Sequence, residues 1–325
     1  MIVLTHDDVT KLLPMKEAIE VVDGAMRQVS RKGAALPLRS AVPVGGGNLM
    51  GVMPGSIGNP ACFGVKMVSL FPDNPAKGLS SHCGAMVLFE AETGGAIAMM
   101  DASLLTAIRT AAASAVATRA LAREDAEHLA IIGYGEQAEH HLDAMLAVRP
   151  IKRLSVAGRA AGKAEAFAAR AGALYPQLEV RHGDDVRAAI GKADIICTVT
   201  AASEPVLMGD WVSTGTHVNV VGASVSSKRE VDDRMVERGA IWVDYLPSAL
   251  AQAGEIVDMI AAGRLREDDL RGEIGALLLG EIAGRDDAES ITIYRSLGIA
   301  AQDLAAAHHV LTRARKESMG QAVEF

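Results

Sequence analysis

Residues 129–138 have the residue types and the spacing of a dinucleotide-binding turn. They read Leu-Ala-Ile-Ile-Gly-Tyr-Gly-Glu-Gln-Ala, so an apolar run typical of a buried strand leads into two glycines and a helical pattern. In such a turn Gly133 allows the sharp bend, Gly135 lets the backbone approach a pyrophosphate, and Ala138 lets helix and strand pack closely. The helix predicted over 136–148 would direct its N-terminal N–H groups at the phosphates. Alone the motif is weak evidence, because the chain contains 32 glycines.

Two cations lie inside apolar segments and could bind an anion. Lys66 is in the middle of a predicted strand over 63–71, and Arg109 is the only charged residue before Arg119 in an alanine-rich helix predicted over 104–122. An arginine in such a helix can extend along the surface to reach water. It can also point into a cleft and hold a carboxylate or phosphate through two hydrogen bonds. The spacing leaves both interpretations open.

The composition limits the class of protein. The chain has 325 residues, of which 50% are hydrophobic and 22% charged, which is enough to fold into two domains with a core each. A net charge of −8 and 3% aromatic residues argue against a nucleic-acid partner. The sequence shows neither a signal-peptide pattern nor eighteen consecutive uncharged apolar residues, so we expect a cytoplasmic protein with no membrane partner.

The predicted elements divide the chain into two parts. Periodic apolar residues predict a helix over 14–31, and runs punctuated by glycine and proline predict strands over 63–71, 85–91 and 96–102, so the first hundred residues resemble a meander with a helix. From residue 129 strands and helices alternate, which predicts an α/β fold with a Rossmann-type, doubly wound parallel sheet. Its predicted strands include 154–157, 178–181, 194–199 and 217–221, with 240–245 closing the series. Later segments are predicted as helices over 249–262, 273–283 and 301–316 and as a strand over 291–294.

The end of the second predicted strand of this sheet bears on the cofactor. Enzymes that bind NAD usually carry an acidic residue there, which accepts hydrogen bonds from the ribose hydroxyl. This chain reads Val-Ala-Gly-Arg-Ala over 156–160, with no carboxylate. Arg159 could pair with a 2′-phosphate, so the sequence favours NADP(H), with NAD(H) possible. The alternative is a solvated charge at the start of a helix.

Other chemistry finds little support in the sequence. The histidines show no metal-ligand spacing such as H-E-x-x-H, so no metal is expected. His140 and His141 are predicted on the surface of the cofactor helix. No G-x-S-x-G motif is present, which argues against a hydrolase. The cysteines are three in number with unrelated spacings, and we expect reduced core thiols at Cys62, Cys83 and Cys197.

Several stretches together resemble one protein family over nearly the whole chain. They are Phe63-Gly-Val-Lys-Met-Val-Ser, Asn74, Gly78-Leu-Ser-Ser-His-Cys-Gly, Leu105-Thr-Ala-Ile-Arg-Thr-Ala-Ala-Ala-Ser114, Ile132-Gly-Tyr-Gly-Glu-Gln-Ala138, Val221-Gly-Ala-Ser-Val-Ser-Ser-Lys-Arg-Glu230, Gly284-Arg and Ile291-Thr-Ile-Tyr-Arg-Ser-Leu-Gly298. On these residues the chain resembles the ornithine cyclodeaminase and mu-crystallin family, which includes archaeal-type alanine dehydrogenases and ketimine or pyrroline-2-carboxylate reductases.

The resemblance implies a role for particular residues. Arg39, Lys66 and Arg109 would hold a substrate carboxylate, and Lys66 would also donate a proton to the imine nitrogen, directly or through water. The residues implied to line the cofactor are Ser81, Thr110, Gly133, Gly135, Glu136, Gln137, Arg159, Thr200, Ser203, Val221, Lys228 and Ser296. The implied domains are a second α/β domain of residues 1–118 with 299–325, which binds substrate and forms a homodimer, and a dinucleotide-binding domain of residues 119–298.

Ser224 departs from part of this family. The cyclodeaminases that the chain resembles carry an aspartate there, which handles the substrate amine, whereas the mu-crystallin-like reductases carry serine. Ser224 is therefore a third candidate catalytic residue, beside Lys66 and Arg109. Gly-Leu-Ser-Ser at 78–81 also replaces the usual Gly-Leu-Pro-Thr.

The residues and the resemblance together predict an NAD(P)H-dependent oxidoreductase. It would reduce small imino acids, cyclic ketimines such as Δ1-pyrroline-2-carboxylate, to L-amino acids. The alternatives are an ornithine cyclodeaminase, which forms proline and ammonia, and an alanine-dehydrogenase-like enzyme. From another class, the chain could be an NADP-binding sensor or structural protein without catalysis.

Overall fold

The computed structural model describes residues 1–80 and 82–324, and the chain divides into two compact units. The first contains Met1–Thr110 and the chain from Ile299 onward, and the second contains Ala111–Gly298. The division therefore falls within a long helix, before the boundary at 118 that the sequence suggested.

Strands in the described residues are numbered in chain order. They are β1 (Ile2–Leu4), β2 (Ala34–Ala35), β3 (Ser40–Gly45), β4 (Asn48–Gly58), β5 (Ala61–Leu70), β6 (His82–Glu90), β7 (Ala96–Asp101), β8 (His128–Ile132), β9 (Arg153–Ala157), β10 (Glu179–Gly183), β11 (Ile195–Thr198), β12 (His217–Val220), β13 (Gly239–Val243), β14 (Gly272–Glu273), β15 (Ile291–Arg295) and β16 (Gln321–Ala322).

The α-helices in the described residues follow the same convention. They are α1 (His6–Leu12), α2 (Met15–Ser30), α3 (Ala102–Leu121), α4 (Glu136–Val148), α5 (Ala161–Leu174), α6 (Val186–Ile190), α7 (Asp233–Arg238), α8 (Leu246–Gln252), α9 (Gly254–Ala261), α10 (Ile274–Leu278) and α11 (Ala300–Glu317). Among the described residues, no helix combines the length and the apolar composition that crossing a membrane requires.

The sheet of the first unit is the meander that the sequence predicts. Its strand order is β16-β1-β7-β6-β5-β4-β2, with β3 paired to β4, and the central strands β4 to β7 pair antiparallel. Helix α11 packs against this sheet at a glycine. A Cβ on Gly64 would lie 2.3 Å from the Val87 carbonyl oxygen and 3.1 Å from Leu304 Cδ2, so only glycine permits this close approach.

The two faces of this sheet differ in exposure. Side chains alternate along a strand, so neighbours in β5 face opposite sides. Cys62 and Lys66 are buried at 2% and 1% exposure, whereas Phe63 and Met67 on the other face are 37% and 38% exposed. Phe63 stacks on Phe89 of β6 with the ring centroids 5.2 Å apart. The outer face is therefore apolar and partly open to solvent.

The second unit contains the predicted doubly wound parallel sheet, and this part of the fold prediction is confirmed. The strand order is β10-β9-β8-β11-β12-β15-β13-β14, and all its neighbouring strands are parallel. Strands β8, β11, β12 and β15 are buried along their whole length, as expected for a sheet covered on both faces. The order reverses between β8 and β11, which is the switch point where such folds bind ligands.

Two helix predictions about this unit need correction, and the sequence left the order of its later strands open. In the sheet, β15 lies between β12 and β13 and pairs with both. The helix predicted over 249–262 is two helices, because Ala253 is extended and a Cβ on Gly254 would lie 2.5 Å from the Lys228 carbonyl oxygen. The helix predicted over 273–283 is short: α10 ends at Leu278.

The prediction of a surface position is wrong for His141. This side chain has 0% exposure, its Nδ1 lies 2.7 Å from the Gln137 carbonyl oxygen, and its Nε2 lies 3.0 Å from Ser114 Oγ. The carbonyl can only accept, so Nδ1 carries the hydrogen and Nε2 accepts from the serine. Burial lowers the pKa of His141 to about 4, so the ring is neutral. Likewise Cys83 is exposed, although Cys62 and Cys197 are buried thiols as expected.

Candidate active site

A buried cluster of charges in the first unit contains both cations that the sequence singled out. Lys66 Nζ donates to Asp303 Oδ1 at 2.9 Å, and Arg109 Nε donates to the same oxygen at 2.8 Å. Arg109 Nη1 also donates to Gln302 Oε1 at 3.0 Å. Lys66 and Arg109 are 1% and 4% exposed, and Gln302 and Asp303 are both 0% exposed. Arg109 is thus not a surface arginine, because its guanidinium is buried and held at two positions.

Three elements supply these side chains. The alternation of β5 places Lys66 on the inner face of the sheet, where its register partners are Met53 and Met86. Helix α3 contributes Arg109, and the first turns of α11 contribute the two acceptors. Arg39, which directly precedes β3, is half-buried. Its charge acts on Lys66 and lowers the pKa of that ammonium. Both arginines that the resemblance assigns to a carboxylate therefore act on Lys66 within the first unit.

The surroundings of Lys66 bring its pKa close to neutrality. Burial is the largest cause, because removing water disfavours the charged form, and the nearby Arg109 acts in the same direction. Asp303 opposes both through its charge and its hydrogen bond. The resulting pKa of Lys66 is about 7, compared with 10.5 for a free lysine. Such an ammonium can both hold and release a proton at neutral pH.

Asp303 and Gln302 were not among the site residues predicted from the sequence. The only signal is that α11 begins Ala-Ala-Gln-Asp-Leu-Ala-Ala-Ala, where two polar residues interrupt an apolar face. An acidic residue in a first helical turn is ordinary, because it interacts well with the helix dipole, so the signal has little specificity. Both side chains still have unused polar atoms: Asp303 Oδ2 and Gln302 Nε2 hydrogen-bond to no described residue.

The second unit has a candidate phosphate cradle, a glycine turn that leads from the end of β8 into α4. Gly133 has φ +122°, and a Cβ there would lie 2.7 Å from the Val199 carbonyl oxygen, so this turn requires glycine. Gly135 is the N-cap of α4 and has no side chain to cap the first N–H groups of that helix. A Cβ on Gly135 would meet nothing within 4 Å, so space remains open beside the helix N-terminus. These features fit a bound pyrophosphate.

The sheet brings most of the predicted cofactor residues to the same edge. Because β11, β12 and β15 are parallel neighbours, the residues that follow them emerge together. Thr200 follows β11, Val221 and Ser224 follow β12, and Ser296 follows β15. Two buried polar atoms in this unit hydrogen-bond to no described residue. They are Ser296 Oγ and, in α4, Gln137 Oε1.

The remaining predicted residues are less central. Arg159 is exposed in the connection from β9 to α5, and Ser203 and Lys228 are exposed in the loops after β11 and β12. Thr110 is buried in α3 and belongs to the first unit. Ser81 lies outside the described residues. In the described part of the chain, no three His, Cys, Asp or Glu side chains come together in a way that could hold a metal ion.

Glu230 ties together two loops of this edge. Its buried carboxylate accepts from Thr198 Oγ1 at 2.9 Å, from Thr200 N and Oγ1 at 2.7 Å each, and from Gly222 N at 2.6 Å. Thr198 ends β11, and Gly222 follows β12. The carboxylate therefore fixes the start of both loops. Glu230 ends one of the stretches that carry the family resemblance, but no role was predicted for it.

Comparisons with known proteins agree with this architecture. The family model described as the ornithine cyclodeaminase/mu-crystallin family matches residues 1–318. The Δ1-pyrroline-2-carboxylate reductase of Bacillus cereus (strain ATCC 10987) is 32% identical over 327 residues, covering 100% of both chains.

Two solved structures are also similar over nearly their whole length. The Δ1-pyrroline-2-carboxylate reductase of Thermococcus litoralis, in complex with NADH and L-proline, has a TM-score of 0.96 at 33% identity and covers 99% of this chain and 100% of its own. An archaeal alanine dehydrogenase dimer with bound NAD has a TM-score of 0.93 at 30% identity and covers 100% and 99%. The resemblance inferred from the motifs is confirmed, and the chain belongs to the ornithine cyclodeaminase/mu-crystallin family.

Proposed function

We propose that the protein reduces the C=N bond of small cyclic imino acids, with Δ1-pyrroline-2-carboxylate as the reference substrate, and uses a reduced nicotinamide dinucleotide to form an L-amino acid. The observation that carries the proposal is the buried cluster of Lys66, Arg109 and Asp303. Support comes from the full-length similarity to reductases of this imine and from the solved relative that holds NADH and L-proline.

The cluster suits a substrate that carries one carboxylate. Lys66 and Arg109 both pair with the single carboxylate of Asp303, so when Lys66 is protonated the two cations carry one more charge than this carboxylate neutralises. The guanidinium of Arg109 is held by Asp303 and Gln302, so its orientation is fixed before substrate arrives. Preorganised donors of this kind place a reactant without further ordering cost.

Reduction of an imine needs one hydride and one proton. The hydride adds to the carbon, the C=N π electrons become a lone pair on nitrogen, and that nitrogen takes up the proton. Lys66 can supply the proton, because its pKa of about 7 leaves a large protonated fraction at neutral pH and makes release easy. The product is a secondary amine, and Lys66 recovers its proton from water.

A nicotinamide dinucleotide, when bound, supplies the hydride. Gly133, Gly135 and the N-terminal N–H groups of α4 would hold its pyrophosphate, and Ser296 and Gln137 offer unused polar atoms nearby in the same unit. We further propose that NADPH is preferred over NADH, because the exposed Arg159 can pair with a 2′-phosphate. The two solved relatives hold NADH and NAD, so NADH is the alternative.

The residue at 224 favours reduction over cyclodeamination. Ring closure of ornithine with loss of ammonia requires a base near the substrate amines, and a serine hydroxyl with an ordinary pKa far above neutrality cannot serve. Reduction demands only one proton donor. Ser224, half-buried after β12, would at most hydrogen-bond to the substrate.

We also propose that the protein is a homodimer formed through the outer face of the first sheet. Phe63, Met67 and Met99 expose 37–39% of their surface there, which is costly in water. The similar archaeal alanine dehydrogenase is a dimer. Light scattering should give the mass of two chains, and the mass of one chain would contradict this proposal.

A substrate screen tests the proposed function. Purified protein should oxidise NADPH or NADH in a one-to-one ratio with Δ1-pyrroline-2-carboxylate, and it should release no ammonia from ornithine in the presence of NAD. Efficient ornithine turnover would show that the cyclodeaminase alternative is correct. Alanine-dependent reduction of the oxidised cofactor as the main activity would favour the dehydrogenase. Cofactor binding without turnover of any imine would favour the non-catalytic sensor.

A further inference from the structure

We propose that Asp303 is the positioning residue of the cation cluster, in that its Oδ1 fixes the Lys66 ammonium and the Arg109 guanidinium and keeps the proton on Lys66. This inference rests on the proposed imine reduction and assigns the residue that makes Lys66 a proton donor. The described hydrogen bonds of Asp303 go to Lys66 Nζ and Arg109 Nε, so we assign it a role that acts through these two cations.

The geometry explains why this position needs a carboxylate. One oxygen accepts from both Lys66 Nζ and Arg109 Nε, so the two cations are held close together. Their repulsion is poorly screened in a buried site, and the negative charge of Asp303 offsets it. An asparagine would keep an acceptor oxygen but remove the charge. The repulsion would then be relieved by loss of the Lys66 proton, because a guanidinium does not lose its proton in proteins.

Several charged or titratable groups act on Lys66 from the surrounding elements. Arg109 on α3 and Arg39 before β3 both disfavour its charged form. Burial lowers the pKa of His82 on β6, and the Lys66 charge lowers it further, so a protonated His82 would also repel the ammonium. Asp303 is the group that favours the charged form of Lys66. The protonated fraction of Lys66 at neutral pH therefore depends on the Asp303 carboxylate.

The inference predicts the direction of a pH shift. Reduction requires protonated Lys66, so kcat/KM should be high below the Lys66 pKa of about 7 and fall above it. Asp303→Asn lowers the pKa of Lys66 further, so kcat/KM should fall at lower pH than in the wild type. The fall of kcat/KM at high pH is the basic limb of the pH profile. An opposite charge at this range changes a pKa by about one to three units, so the basic limb should move toward lower pH by that amount.

Two further variants separate positioning from general damage. Gln302→Leu removes a hydrogen bond to Arg109 from the neighbouring residue of the same helix and leaves the charge on Lys66 unaffected. It should raise KM without moving the basic limb. Asp303→Glu retains the negative charge and should return the limb toward its wild-type position. NADH and NADPH binding, measured by fluorescence, should stay unchanged in all three variants if the fold is intact.

A binding profile tests the inference without turnover. Pyrrole-2-carboxylate, a planar carboxylate that cannot be reduced in this way, should bind below the Lys66 pKa and weaken above it, and Asp303→Asn should move this loss toward acid. At the acid end of the profile Asp303→Asn should bind at least as tightly as wild type, which damage to the fold would not allow. If wild type binds the analogue but reduces no imine, the proposed function is wrong and the binding profile still decides the role of Asp303.

The inference is overturned by either of two results. In the first, Asp303→Asn leaves the basic limb of activity or binding where it is in the wild type. In the second, the limb moves equally in Gln302→Leu. A wild-type protein that neither reduces the imine nor binds the analogue overturns the proposed function and this inference together.

Discussion

The two compact units form their candidate sites from the chain in different ways. In the second unit, a contiguous stretch from β8 through Gly133 and Gly135 into α4 would provide the candidate phosphate cradle, and most of its contacts would be backbone N–H groups. In the first unit, Lys66 and Asp303 are 237 residues apart in sequence and meet only because α11 packs on the sheet. A backbone site is therefore visible in local sequence, whereas a side-chain cluster depends on tertiary packing.

The same difference predicts opposite sensitivities to mutation. The cradle should tolerate changes of charge but not an added Cβ, because its geometry is set by space and by backbone conformation. The cluster should be most sensitive to the balance of charge and to the geometry of its hydrogen bonds, because each of its cations is buried beside another. Three predictions test this contrast, starting with the largest expected effect.

Arg109→Lys keeps the charge of the cluster but loses the planar fork. A lysine cannot hold both Asp303 and Gln302 in the same geometry, and loss of about 3 kcal/mol of charge-assisted hydrogen bonding should lower kcat/KM for the imine roughly a hundredfold. Affinity for the dinucleotide should change little. Arg119→Lys, at the exposed end of the same helix, is the matched control and should behave as wild type. Equal activity of the two variants would exclude Arg109 from the carboxylate site.

Gly133→Ala and Gly135→Ala should distinguish the need for a particular backbone conformation at 133 from the need for close approach of the cofactor at 135. Gly133 has φ +122° and no room for a Cβ, so the alanine variant should lose about 1–2 kcal/mol or more of stability, a few degrees in Tm, together with cofactor affinity. Gly135 has an ordinary φ of −88° and open space, so its variant should keep the wild-type Tm and lose only cofactor affinity. Unchanged NADH and NADPH affinity in Gly135→Ala would contradict the cradle.

Arg159→Ala should have the smallest effect of the three. Its side chain is exposed, so solvent screens the contact, and loss of a charge-assisted bond to the 2′-phosphate should weaken NADPH by about 1–2 kcal/mol. NADH affinity should hardly change. Titration of both cofactors against both proteins measures the preference directly. If the ratio of the two dissociation constants is the same with and without the arginine, another feature selects the cofactor.

Local signals predicted the parallel sheet and the first helix of the second unit well. Helix α4 begins and ends where the sequence predicted, because Gly135 interrupts the pattern on one side and the apolar periodicity ends on the other. The sequence made no prediction of the order of strands in the sheet where that order departs from the order along the chain. Strand β15 enters the sheet between β12 and β13, and no local pattern specifies which neighbour a buried parallel strand chooses.

The sequence also did not predict which single polar side chains are buried. The periodicity of α4 does not reveal that Ser114 of α3 lies against His141. Likewise, Lys66 and Arg109 were singled out as cations in apolar segments, but the sequence held no sign of the anion between them. Asp303 looks like any acidic residue at the start of a helix until α11 is placed on β5.

The carboxylate of Glu230 has a consequence for how this scaffold can change its chemistry. Ser224 lies between Gly222 and Glu230 in the chain, and the Glu230 carboxylate accepts a hydrogen bond from Gly222 N. This contact closes the segment of residues 222–230. The same carboxylate anchors Thr200 in the adjacent loop. A substitution at 224 therefore leaves the hydrogen bonds that hold this segment unchanged. One substitution at 224 can therefore change the side chain at this position while the hydrogen bonds of Glu230 are retained.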